Sequence, residues 1–92
     1  GGNFVRILGY FREDGIKSVT AIEAAMRANN PAAMVLPAHT LKGESRQFGA
    51  EGLGELAETI EAIARDCVES RDAPDLALEH VVQLRPTFTT TL

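Results

Sequence analysis

Cysteine is almost missing from this chain. Cys67 stands alone among 92 residues, so no internal disulfide can form, which suits a reducing compartment. Its place within a helical pattern marks it as buried filler rather than a reactive thiol. No segment approaches the roughly 20 apolar residues that crossing a bilayer requires. Nor does a charged start, apolar stretch and small-residue cleavage site make up a signal peptide. A cytoplasmic location is the resulting expectation, with no membrane partner. Basic charge is short as well: 9 Lys and Arg against 13 Asp and Glu leave a formal net charge of −4. That balance argues against a general nucleic-acid binder. There is no Gly-x-x-x-x-Gly-Lys-Ser/Thr run and no kinase glycine-rich loop, so no ATP site is expected. His39 and His80 are the only histidines, far apart and without ligand spacing, and no metal centre is expected either. Hydropathy nowhere alternates with period two for long enough to make a strand.

What is present is helical throughout. Phe4, Ile7, Leu8, Phe11, Val19, Ile22, Ala25 and Met26 follow the three-and-four spacing of a buried stripe. Asn3 is a candidate N-cap for this first helix, which is predicted to run to Ala28 with a weak point at Asp14-Gly15. Asn29-Asn30-Pro31 reads as a stop and a restart, with Asn30 capping and Pro31 at the first helical position. The second helix then runs to about Phe48 and ends at Gly49. Its seam is Met34, Ala38, Leu41, Ser45 and Phe48. A third helix, about Ala50 to Glu69, places Leu53, Leu56, Ile60, Ile63 and Cys67 on one face. Gly52 and Gly54 sit in its first turn, where they permit close approach of a neighbour. Asp72 is the expected cap of the last helix, with Pro74 in its first turn and Leu76, Leu78, Val81, Val82, Leu84 and Phe88 as its apolar surface. Pro86 should bend or shorten that helix, and the tail from Thr87 to Leu92 is expected to fray. Ninety-two residues make one domain. The expectation is a single all-α domain over residues 1–92, an antiparallel up-and-down four-helix bundle.

The second helix carries the chemistry. Taking His39 as zero, Lys42, Gly43 and Arg46 lie within roughly 60° of it, while Leu41 and Phe48 lie roughly 160–180° away. His39 is therefore predicted to be exposed, opposite the core seam. A solvent-exposed imidazole offers a ring nitrogen able to attack phosphorus. Lys42 can meet phosphoryl oxygens as a mobile point charge. Gly43 costs about 1 kcal/mol inside a helix and is predicted to face outward, which points to a partner approaching the backbone there. Arg46 is either a second cation or a plain surface residue. Gln47, about 80° from His39, is a weaker candidate for a polar contact. Val35 and Leu36, one turn earlier, form either an apolar docking patch or part of the core.

His39-Thr40-Leu41-Lys42-Gly43, followed by Ser45, Phe48, Gly49-Ala50 and Leu53, resembles the signature of histidine-containing phosphotransfer (HPt) domains. The match is dense over about residues 38–61, and the helical pattern on both sides is compatible with it. The resemblance implies a bundle whose exposed histidine accepts a phosphoryl group from a receiver-domain phospho-aspartate and passes it to another receiver. It implies His39 as phospho-acceptor through Nε2, Lys42 as phosphate stabiliser, and Gly43 as room for the receiver's loops. Docking would extend over Val35, Leu36, Arg46 and Gln47. Glu61, twenty-two residues after the histidine, takes the place of a polar partner for Nδ1 or is an ordinary surface acid. No cofactor is implied on this chain, Mg²⁺ belonging to the receiver. The implied partners are response-regulator receivers and a histidine or hybrid kinase, with the chain a monomer and not an enzyme. One departure is Pro37, which should kink the second helix just before His39.

Three alternatives compete. In dimerisation domains of ordinary sensor kinases an acidic residue follows the histidine, and Thr40 counts against that reading. The phosphorylatable domain of chemotaxis-type kinases shares the histidine, lysine and glycine pattern. A structural bundle with an incidental His39 is the third.

Overall fold

The helical stripes become four α-helices and one 3₁₀ turn in the computed structural model, which describes residues 2–91 and the side chains of residues 12–90. α1 spans Gly2–Arg27, α2 Pro31–Phe48 and α3 Glu51–Ser70; a 3₁₀ turn at Asp75–Ala77 leads into α4, Leu78–Thr91. No strand occurs among the described residues. None of these helices is long and apolar enough to cross a membrane. The expected Asn3 cap and the stripe residues Phe4, Ile7, Leu8 and Phe11 lie outside the described side chains, as does Leu92.

Helix boundaries follow from capping chemistry. Asn29 adopts φ 53°, and the Asn30 N–H returns to the Ala25 carbonyl at 2.9 Å, closing α1. The Asn30 side chain then accepts from the Ala33 N–H at 3.3 Å, with Pro31 in the first turn of α2. Gly49 (φ 88°) ends α2 in the left-handed conformation that glycine adopts without strain. α2 runs through Pro37 without interruption.

The start of α4 corrects the expectation. Asp72 does not cap it: its backbone N–H returns to the Cys67 carbonyl at 2.9 Å, so it belongs to the close of α3, where Arg71 takes φ 58°. The helical phase is set later, by the 3₁₀ turn. Ala77, Val81, Leu84 and Phe88, spaced four, three and four apart, are buried. Leu76, Leu78 and Val82 lie one position off that seam and are exposed, at 77%, 51% and 61%. Pro86 does not shorten α4, which continues to Thr91. The carbonyl that loses its partner to Pro86 is that of the exposed Val82, where water can serve it.

The core joins Val19 and Ile22 of α1, Met34, Ala38 and Leu41 of α2, Leu53, Ala57 and Ile60 of α3, and the α4 seam. α2 packs against both α1 and α3, and α4 against both α3 and α1. Phe48, Leu56 and Ile63 are only half-buried at its margin. Two glycines mark where helices meet closely. A Cβ at Gly54 would stand 3.2 Å from Cγ of Arg46 and 3.7 Å from Cβ of Ser45. A Cβ at Gly15 would overlap Cε2 of the buried Phe88 ring. Gly15 is thus a seat for Phe88 within a continuous helix. Gly15→Ala gains about 1 kcal/mol of helix propensity, but overpacking of this kind costs ~1–3 kcal/mol. The expected outcome is a net loss near 1 kcal/mol in urea denaturation; a gain would mean the ring moves aside freely.

Candidate functional site

The buried seam of α2 (Met34, Ala38, Leu41 and Ser45) turns His39 to the other side of the helix, where its side chain is 57% exposed. The ring is nevertheless held. Nδ1 lies 3.0 Å from Oε2 of Glu61 on α3. An ionised carboxylate only accepts, so a neutral His39 ring must carry its proton on Nδ1 and donate it. The lone pair is then on Nε2. Glu61 is thus a partner of His39 in space and not an ordinary surface acid.

Glu61 itself is buried, its side chain 6% exposed. Burial pushes its carboxyl pKa up, but hydrogen bonds from Lys42, Arg65 and His39, with the charge of Lys42, outweigh that and hold it at about 2. Nζ of Lys42 meets Oε1 at 2.7 Å. Nη2 and Nε of Arg65 meet Oε2 at 2.8 and 3.1 Å. One buried carboxylate therefore links an imidazole, an ammonium and a guanidinium. Lys42, unlike Arg65, is largely enclosed. It is only 22% exposed and is tied to Glu61.

The other expected site residues separate. Gly43 is exposed, and a Cβ there would meet nothing within 4 Å. Internal packing does not require this glycine. Arg46 does not join the His39 cluster: its guanidinium pairs with Glu58 at 2.7 Å, turned toward α3. Gln47 is exposed, and among the described residues no hydrogen bond joins it to His39. Val35 packs half-buried against the core, whereas Leu36 is 71% exposed. Of the two, only Leu36 presents a wholly outward apolar surface. Cys67 is buried, and burial followed by nearby Asp72, Asp66 and Asp75 raises its thiol pKa, so it is not poised as a thiolate. His80 sits half-buried near Glu79, at 3.7 Å. No group of three or more candidate metal ligands gathers among the described residues.

Arg65 and Glu58 were not anticipated from the sequence. Arg65 had a readable signal, the i,i+4 spacing after Glu61 on one helix face. Glu58 had none, since its partner lies on another helix.

The family model described as "Hpt domain" matches residues 6–87, nearly the whole chain. Neither a search of curated proteins nor one of solved structures gives a significant match. An exposed imidazole thus stands backed by a carboxylate and a lysine, in a chain that belongs to the Hpt domain family of histidine phosphotransfer modules in two-component signalling.

Proposed function

We propose that this domain is a phosphorelay intermediate in which His39 accepts a phosphoryl group from a receiver-domain phospho-aspartate and delivers it to a second receiver aspartate. The observation that carries this reading is the Nδ1 contact to Glu61, which leaves the Nε2 lone pair for attack on an exposed surface. In the accepting step the Nε2–P bond forms as the acyl oxygen–phosphorus bond breaks. The electron pair leaves with the receiver's carboxylate. No proton leaves the ring, which becomes cationic, and Glu61 faces that charge. Lys42, one turn from His39, supplies the cation for the phosphoryl oxygens. Gly43 and Leu36 offer the receiver open backbone space and an apolar contact, with Val35, Arg46 and Gln47 at the rim.

The chain works stoichiometrically, without an ATP site or metal of its own; Mg²⁺ acts on the receiver. A histidine or hybrid kinase stands upstream, and the cytoplasm is the site of action, with the domain as a monomer. The helices run up-and-down. That topology is supported by pairings whose numbers run in opposite senses: Gly15 with Phe88 and Glu23 with Arg85 between α1 and α4, and His39 with Glu61 and Arg46 with Glu58 between α2 and α3.

Incubation with a receiver carrying labelled aspartyl phosphate should transfer the label to this chain in an acid-labile, base-stable form. Absence of transfer from any receiver would sink the reading. Labelling only by a kinase core with ATP would assign the chain instead to the phosphorylatable domain of a chemotaxis-type kinase.

A further inference from the structure

Glu61 receives more positive charge than orienting one imidazole requires. Among the described residues its Oε2 takes three donors, Nδ1 of His39 and both Nε and Nη2 of Arg65, whereas Oε1 takes only Nζ of Lys42. A carboxylate this buried is strongly disfavoured without a cation beside it. Lys42 has a second duty in the proposed reaction, on a flexible stem that lets the ammonium turn. Until the Nε2–P bond has formed and made the ring cationic, it can leave Oε1 for a phosphoryl group only if another cation stays with Glu61. Arg65 meets that need. It follows Glu61 by one turn of α3, and its planar guanidinium aims two N–H groups at one oxygen. Its own side chain is 60% exposed, so it reaches the buried acid from the solvent side.

We propose that Arg65 is a positioning residue for phosphotransfer. It holds the Glu61 carboxylate against Nδ1 of His39 and keeps it compensated while Lys42 turns to the phosphoryl group on Nε2. This rests on His39 being the phospho-acceptor. Arg65 acts only through Glu61.

The test is a double-mutant cycle on the 92-residue chain: R65M, K42A and both together. Two readouts are taken, the rate of phosphoryl transfer from a phosphorylated receiver and the His39 ring ¹⁵N shifts, which report the nitrogen bearing the proton. R65M should slow transfer about tenfold, the scale of one lost charge-assisted hydrogen bond. K42A should then cost less in the R65M background than in the wild type, because Lys42 is already committed to Glu61. The Nδ1–H share of the neutral ring should fall. R65K, with charge but no planar fork, should recover part of the rate. Additive rate losses with wild-type ¹⁵N shifts would overturn the proposal, since a merely structural arginine behaves that way. If the wild type is labelled on His39 and R65M matches it in both readouts, the role of Arg65 fails while that of His39 stands. If R65M shifts the ring proton but no receiver labels the wild type, positioning is supported and the phosphorelay reading fails.

Discussion

His39→Gln should take no label from a phosphorylated receiver, a loss of at least about a thousandfold, the scale expected when a nucleophile is removed. Glutamine retains a polar group within reach of Glu61 but has no nucleophilic ring nitrogen. The fold should hardly notice. The His39 side chain is 57% exposed and contributes one hydrogen bond, about 1 kcal/mol. A melting temperature within roughly 5 °C of the wild type is therefore expected. Equal labelling of both proteins would remove His39 from the mechanism. A large fall in melting temperature would mean instead that the histidine is a structural member of the α2–α3 contact.

Glu61→Gln should affect both transfer and stability, because one side chain serves both. Glutamine can still accept from Nδ1, but it no longer faces the cationic ring with a charge, and it leaves Lys42 and Arg65 without their counter-ion. Transfer should slow by about ten- to a hundredfold. For stability the sign follows from the direction of the shift. Glu61 is held at about 2 against an ordinary 4.5, so it binds fewer protons folded than unfolded at intermediate pH. Its contribution is fully present above pH 4.5 and is lost as pH falls through about 2. At ~1.4 kcal/mol per tenfold, that contribution reaches at most about 3 kcal/mol. Glu23, lowered by its hydrogen bond to Arg85, and Glu44, raised by burial and by Asp14, titrate in both proteins. They cancel in the comparison. Urea midpoints of the two proteins should converge between about pH 4.5 and pH 2. Parallel profiles across that window would show that Glu61 is not the acid-sensitive group.

Much of this was legible in the sequence because it is local. Asn30, Pro31 and Gly49 act on their own turns, so both ends of α2 are readable from its capping residues. Its core seam and the opposed His39 face follow from a constant angle per residue. The last helix was misread for a related reason. Asp72 is a good capping residue, but whether it starts one helix or closes another depends on which carbonyl its N–H meets. It meets that of Cys67, and the seam of α4 shifts accordingly, leaving Leu78 and Val82 outside.

The sequence by itself determined that the chain is helical, that His39 and Gly43 face outward, and that their neighbourhood resembles a phosphotransfer signature. These are properties of single helices, set by periodicity and capping. Only the tertiary structure decided what stands behind the histidine. The angle of α3 against α2 brings Glu61 to Nδ1 across twenty-two residues and gathers Lys42 and Arg65 on the same carboxylate. It also turns Arg46 away to Glu58. Contacts between helices depend on packing distance and rotation, which no spacing within one helix encodes. The nucleophile was therefore readable from sequence, whereas the charge network that sets its proton was not.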